Sequence, residues 1–346
     1  MARVDCPREW PALIPTLFEG IKAQDDLVRQ RTLLTLHHVV KQLASKRLAG
    51  DRRTFQELTS HMFMYLLELW QDQTETFLAA SSRYPGLLSS LERSHLALKI
   101  LRKLVIHGFK KPHESREAMG FLHNIFGRIS VMLQFRKKYE SIEHVKGIAE
   151  KYLVLLTKVF LDLLESHPFS YIQFIKPSLN LILHYIFTPA GDGMLFQRLV
   201  VQCMNLLKGM LVCAEYKPCK VIEDTENPET IEAYKLKSEF FVRQVLVDVC
   251  SKLISHYFPL NQEDLELWDS DPEGFSLEVE GGESWKYSLR PCIESLFVSL
   301  FHEYRDTLTP AILDLVNVCR AMVEPNDFHG IRQKDAVYNA LGLAAF

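Results

Sequence analysis

The chain has 346 residues, 47% of them hydrophobic and 24% charged, with a net charge of −3. That length exceeds one ordinary core and asks for two or three domains or a single repeat array, and the composition excludes a disordered polar chain. The charge is uneven: residues 1–140 hold 22 Lys+Arg against 14 Asp+Glu, net +8, and residues 141–346 hold 18 against 29, net −11. A nucleic-acid binder wants one continuous basic face, so this split points instead to protein partners of mixed charge, with no direct nucleic-acid contact. Seven scattered cysteines without a CxxC spacing predict reduced thiols in an intracellular compartment. Arg3, Asp5, Arg8 and Glu9 interrupt any leader, and a charge breaks every greasy stretch, so neither a signal peptide nor a membrane insertion is predicted.

The first predicted helix covers residues 10–21, with Pro11 in its first turn and Leu13, Ile14, Leu17, Phe18 and Ile21 at helical spacing. Asp25 and Asp26 cap a second, whose apolar face runs from Leu27 through Leu33, Leu36 and Val40 to Leu43. A turn at 45–50 leads into a long helix from Asp51 to about Ala80. After the Tyr84-Pro85-Gly86 loop, Leu88 to Val105 mark a helix ended by Gly108, and Pro112 opens the next, through Met119, Ile125 and Leu133. Tyr152 to Leu164 stripe another helix. His167-Pro168 begins one with Pro177 in its middle, which ends near Thr188-Pro189.

Gly191-Asp192-Gly193 reads as a turn, 195–212 as a helix, 216–229 as a polar loop, and 231–258 as one long helix. Residues 259–285 read as an acidic insertion loop: from Asn261 to Trp285 there are nine Asp or Glu and no Lys or Arg. Residues 289–304 and 308–323 form a helical pair, and 331–346 half of another. No segment alternates as a strand does between turns. New pairs begin near residues 26, 88, 144, 195, 284 and 331. A lone pair of this kind cannot bury its apolar face, so the pairs must stack. The expected fold is all-α: a single HEAT-repeat, ARM-like solenoid segment over residues 1–346, with about five helix pairs and a half repeat at each end. Both ends lack a polar capping repeat, as in a piece of a longer array.

From about Asp5 onward the chain resembles the importin-beta (karyopherin) family of nuclear transport receptors. The stretches that carry the resemblance are WPALIPTL (10–17), LASKRLAGDRRTFQEL (43–58), SSLERSHLALKILRKLVIHGF (89–109), MGFLHNIF (119–126), HPFSYIQFIKPSL (167–179), VQCMNLLK (201–208), DPEGF (271–275) and GGESWKYSLRPC (281–292). The resemblance implies a right-handed superhelix of HEAT repeats that binds protein cargo and Ran-GTP, passes the pore through Phe-Gly nucleoporins, and moves between cytoplasm and nucleus. It implies no enzyme activity and no cofactor. It also places this stretch inside a receptor, apart from the family's first repeats, which carry the principal Ran contacts, and from its C-terminal ones, which help enclose cargo.

Several importins touch Ran or a basic cargo through acidic insertions. By that resemblance the candidate partner-binding residues are Glu263, Asp264, Glu266, Asp269, Asp271 and Glu273, with Trp268 as an aromatic anchor. The plainer alternative is an acidic crossover that Trp268 and Trp285 tack onto neighbouring helices. Basic pairs at Lys46-Arg47, Arg52-Arg53, Arg102-Lys103, Lys110-Lys111 and 136–138 read as solvated turns and helix ends, the alternative being contact with an acidic face of Ran or a cargo. No metal site is predicted: His37 and His38 point about 100° apart on a helix, and there is no HExxH and no Cys/His cluster. Gly191-Asp192-Gly193 lacks the third glycine and the preceding strand of a dinucleotide site. The rivals to a transport receptor are a HEAT scaffold with no part in transport and an α-helical enzyme, which would need a convergent polar site that no spacing in the chain builds.

Overall fold

A computed structural model describes residues 4, 6, 9–80, 86–218, 227–280, 283–320, 324 and 326–345. Most of the expected 84–86 turn and of the 216–229 loop therefore lies outside the described residues. Those that are described hold fifteen α-helices and no strand. They fall into two compact units, Met1–Ser170 and Tyr171–Phe346.

The first unit contains α1 (Leu13–Ile21), α2 (Asp26–Ala44), α3 (Ala49–Ala79), α4 (Leu87–Gly108), α5 (Arg116–Lys138) and α6 (Glu143–Ser166), and α7 (Pro168–Ile186) begins at its end. Local sequence sets the starts. Asp25 accepts the Val28 amide at 2.9 Å ahead of α2, and Ser115 accepts the Ala118 amide at 3.2 Å ahead of α5. Contacts between helices then fix the order. Thr74 meets Ser94, and Gly108 meets Thr59, so α3 and α4 run antiparallel. Gln30 meets Glu92 in α2 and α4, while Ser94 meets Tyr152 and Arg102 meets Asp162 in α4 and α6, so these three helices lie parallel in one layer. Phe63 and Trp70 meet Phe121 while Phe77 meets Phe135, so α3 and α5 lie parallel in the second layer. Antiparallel within a pair and parallel within a layer is the HEAT arrangement.

A buried polar knot joins α3, α4 and α6. The Trp70 indole N–H donates to the Tyr152 hydroxyl at 2.6 Å, and the Ser94 hydroxyl stands 2.8 Å from that same oxygen. Thr74 lies 2.7 Å from Ser94 and donates to the Trp70 carbonyl at 2.6 Å. All four side chains are fully buried. Each hydroxyl finds a partner in its neighbours, which offsets the cost of taking these groups out of water.

The second unit contains the rest of α7, then α8 (Gln197–Val212), α9 (Pro228–Phe240), α10 (Arg243–Lys252), α11 (Gln262–Ser270), α12 (Pro272–Glu280), α13 (Leu289–Glu303), α14 (Arg305–Cys319) and α15 (Phe328–Ala344). Helices α8 and α13 run parallel, with Cys292 against Val201 and Lys208 against Ser295. The buried Lys237 of α9 donates to the Leu211 carbonyl at 2.8 Å and so satisfies an orphan acceptor at the end of α8.

Four expectations need correction. The span 231–258 is not one helix. It breaks at Phe241 and Val242, where Val242 is extended, and α10 then widens into a π turn, Leu253–Tyr257. The run Phe240-Phe241-Val242 favours helix weakly, and the break turns Phe241 inward against Tyr304. Gly108 does not end α4 by a left-handed cap, since among the described residues only Gly193 has positive φ. A Cβ at Gly108 would lie 2.0 Å from Thr59 Oγ1, so the glycine serves close approach of α3 and α4. Residues 259–285 are not a loop but are built around the hairpin of α11 and α12. Leu27, placed on the apolar face of α2, is 62% exposed.

Two outcomes follow for stability. Tyr152→Phe strands the buried Trp70 N–H, and should lower the urea midpoint by an amount equivalent to about 1–3 kcal/mol with an unchanged m value. An m value that changes with it would mean that the knot does more than stabilise. Burial, then the nearby Lys99 and Lys151, pushes His95 down to about 3, and burial pushes His37 down to about 4. The unfolded chain then binds protons that the folded one refuses, so stability present above pH 6.5 is lost as pH falls from there toward about 3. Denaturant titrations of His95→Gln across that window should show a shallower slope than the parent; identical slopes would refute the assignment.

Candidate functional site

The acidic hairpin is ordered by its own ends and by one arginine outside it. Asn261 opens α11 with a reciprocal capping box: its side chain accepts the Asp264 amide at 2.9 Å, and its own amide donates to Asp264 Oδ2 at 2.8 Å. Asp271 accepts the Gly274 amide at 2.9 Å, and Pro272 supplies the first residue of α12. A Cβ at Gly274 would lie 2.2 Å from the Asp271 carboxylate, so a side chain there would make that carboxylate shift. Trp268 of α11 stacks on Phe275 of α12, with ring centroids 5.6 Å apart. Arg290, at the start of α13, reaches Asp264 at 3.4 Å and sits 5.4 Å over the Phe275 ring.

The seven candidate residues thereby divide. Asp264 and Asp271 are occupied with capping, and Asp264 also with Arg290. Glu263, Glu266, Asp269 and Glu273 are exposed, and so is half of Trp268, at 53%. Glu263, Glu266 and Asp269 follow one another at i, i+3 and i+6, which keeps them on one side of α11. Glu266 accepts from Gln262 at 3.1 Å. Glu263 also borders an open cavity of about 540 Å³ shared with Asp192, His256 and Tyr257. Trp285, the other aromatic of the stretch, lies under the Lys208 ammonium at 3.9 Å and so ties the segment to α8. Sequence reasoning missed Asn261 and Arg290. The Asn-x-x-Asp spacing was a legible capping signal, whereas nothing in the sequence pairs Arg290 with Asp264. Among the described residues there is no group of three His, Cys, Asp or Glu that could hold a metal, and no helix long and apolar enough to cross a membrane.

No family model matches the chain. Among known proteins it is 49% identical over 348 residues to Importin-11 of Homo sapiens, a match covering 100% of this chain and 36% of the relative. The chain belongs to the importin-beta family. A second, more distant importin relative, Importin beta-like protein KAP120 of Saccharomyces cerevisiae, is 24% identical over 367 residues, covering 100% of this chain and 34% of its own length. Among solved structures, Lph2, a bidirectional nuclear transport receptor of S. cerevisiae, has the same fold, with a TM-score of 0.77 at 22% identity over 99% of this chain and 34% of that one. This importin segment thus spans about a third of the length of the relatives it matches.

Arg290→Ala should release the hairpin without unfolding the importin repeats around it. Amide hydrogen exchange in 262–280 is expected to speed up by about tenfold or more while α8 and the core of α13 stay protected. Unchanged exchange in α11 and α12 would show that the hairpin holds itself.

Proposed function

We propose that the chain is a segment of a nuclear import receptor that acts by binding, taking protein cargo from cytoplasm to nucleus and releasing it when Ran-GTP binds. The observation that carries this reading is the 49% identity to Importin-11 along the whole chain. The stacked helix pairs support it, because each touches mainly its neighbours and the stack can change pitch at modest cost. Weak contacts with Phe-Gly nucleoporins belong to the same reading and bring the receptor to the nuclear pore in transit. So does the absence of any catalytic or cofactor role for its residues.

Within that reading the hairpin of α11 and α12 meets a basic surface on Ran-GTP or on cargo. Glu263, Glu266, Asp269 and Glu273 supply exposed carboxylates beside the half-exposed Trp268. An aromatic ringed by charge is a common form of binding hot spot. Asp264 and Asp271 hold the two helix starts of the hairpin.

Reversing Glu263, Glu266, Asp269 and Glu273 to lysine in the full-length receptor should weaken Ran-GTP or basic-cargo binding by roughly tenfold or more at low salt, with the difference shrinking as salt is raised. Calorimetry with each partner measures it. Affinities that match the parent at low salt would remove the hairpin from the interface and leave the transport reading to be judged on cargo binding by the rest of the receptor.

A further inference from the structure

The first unit carries a cavity of about 820 Å³ between the end of α2, the start of α3 and the end of α4, closed on one side by Ser166 and His167. Its rim is cationic: Lys41, Lys46, Arg47, Arg52, Lys103 and Lys110 all line it, and no Asp or Glu does. Lys46 is partly neutralised, by Asp51 at 3.3 Å. The other five make no ion pair among the described residues. Asp162, the carboxylate that acts on Lys103, is already held by Arg102 through two bonds of 2.8 Å.

The floor is apolar. Leu43, Phe55 and Ile106 are all buried beneath the rim. His167 donates through Nε2 to the Ile106 carbonyl at 2.8 Å and closes that edge. Crowding of like charge is felt by the groups that are partly buried. Burial, and then Arg102 and Lys41, pull the Lys103 ammonium below its ordinary range; burial, Lys103, His167 and Arg52 do the same to His107. A free protein holding several cations around one hollow is paying for their repulsion, and a bound anion relieves it.

We propose that this groove is a binding site for a carboxylate-rich peptide segment of a protein partner. Arginine and lysine side chains converge from three helices, and they match successive carboxylates of an extended chain. The apolar floor takes the methylene groups between those carboxylates. The volume lies within the roughly 300–1,000 Å³ of ligand pockets. A nucleic-acid duplex would ask for cations strung along a length of surface instead of gathered round one hollow, and for contacts outside it. The site is distinct from the acidic hairpin in sign, in place and in partner chemistry, and it does not rest on the transport reading.

The test uses the full chain, a fluorescent twelve-residue Glu/Asp-rich peptide, a neutral Gln/Asn peptide of equal length, and a single-stranded oligonucleotide of matched charge. Arg52, Lys41 and Lys110 are exposed, so reversing all three to glutamate should leave the fold intact, as circular dichroism and the melting curve will report. The acidic peptide should bind the parent, lose about tenfold or more in affinity in the triple variant, and weaken steeply with salt. A control reversal at Lys22, which lies outside the groove, should change nothing. The proposal is overturned if the control weakens binding as much as the triple variant does. It is overturned too if the neutral peptide binds as well as the acidic one, or if the oligonucleotide binds more tightly.

Discussion

Lateral burial between like helices is the constraint on which the rest of the structure depends. A helix pair has apolar stripes on opposite sides, and neither can face water. In the first unit α4 is covered by α2 on one side and α6 on the other, and α3 is covered by α5 in the second layer. The polar knot of Trp70, Thr74, Ser94 and Tyr152 lies where three of these helices meet. It adds direction to contacts that would otherwise be satisfied by any greasy surface, because its hydroxyls have partners only in one register.

The same stacking decides where charge can go. Residues that face neither neighbour are left on the outer faces and at the turns, and there the chain separates its signs. The turns and helix ends of the first unit gather lysine and arginine around one hollow. The second unit sets carboxylates on a short hairpin that stands outside the regular pairs. A near-neutral total conceals this separation. Where charge is separated in this way, the local sign is the informative quantity.

Much of this could be read before any coordinates. The i, i+3, i+4 stripes gave the long helices of the first unit to within a few residues, because each is buried on a continuous face. Asp25 and Ser115 lie where capping residues belong. The hairpin was hidden because nine carboxylates within a short span argue against helix on grounds of repulsion. The groups that overrule it are a cap at Asn261 and a cation at Arg290, the latter beyond the acidic stretch. The basic groove was hidden for a related reason. All its cations but Lys41 were visible as members of pairs, but they sit from Lys41 to Lys110, and only the stacking of α2, α3 and α4 brings them round one space. The break at Phe241 depends on Tyr304, more than sixty residues away, and no window of local sequence contains both.

The π turn at the end of α10 has its own bearing on how the second unit is assembled. Phe258 bonds back to Leu253 at 3.0 Å, so five residues close a ring that four would ordinarily close. That one surplus position swings the Tyr257 hydroxyl onto the Ile186 carbonyl at 2.8 Å, at the otherwise unfinished end of α7. The bulge works as a phase adjuster: it resets the angular position of everything downstream. Removing a single residue here would leave the composition of the helix almost unaltered and yet rotate its later side chains away from their partners.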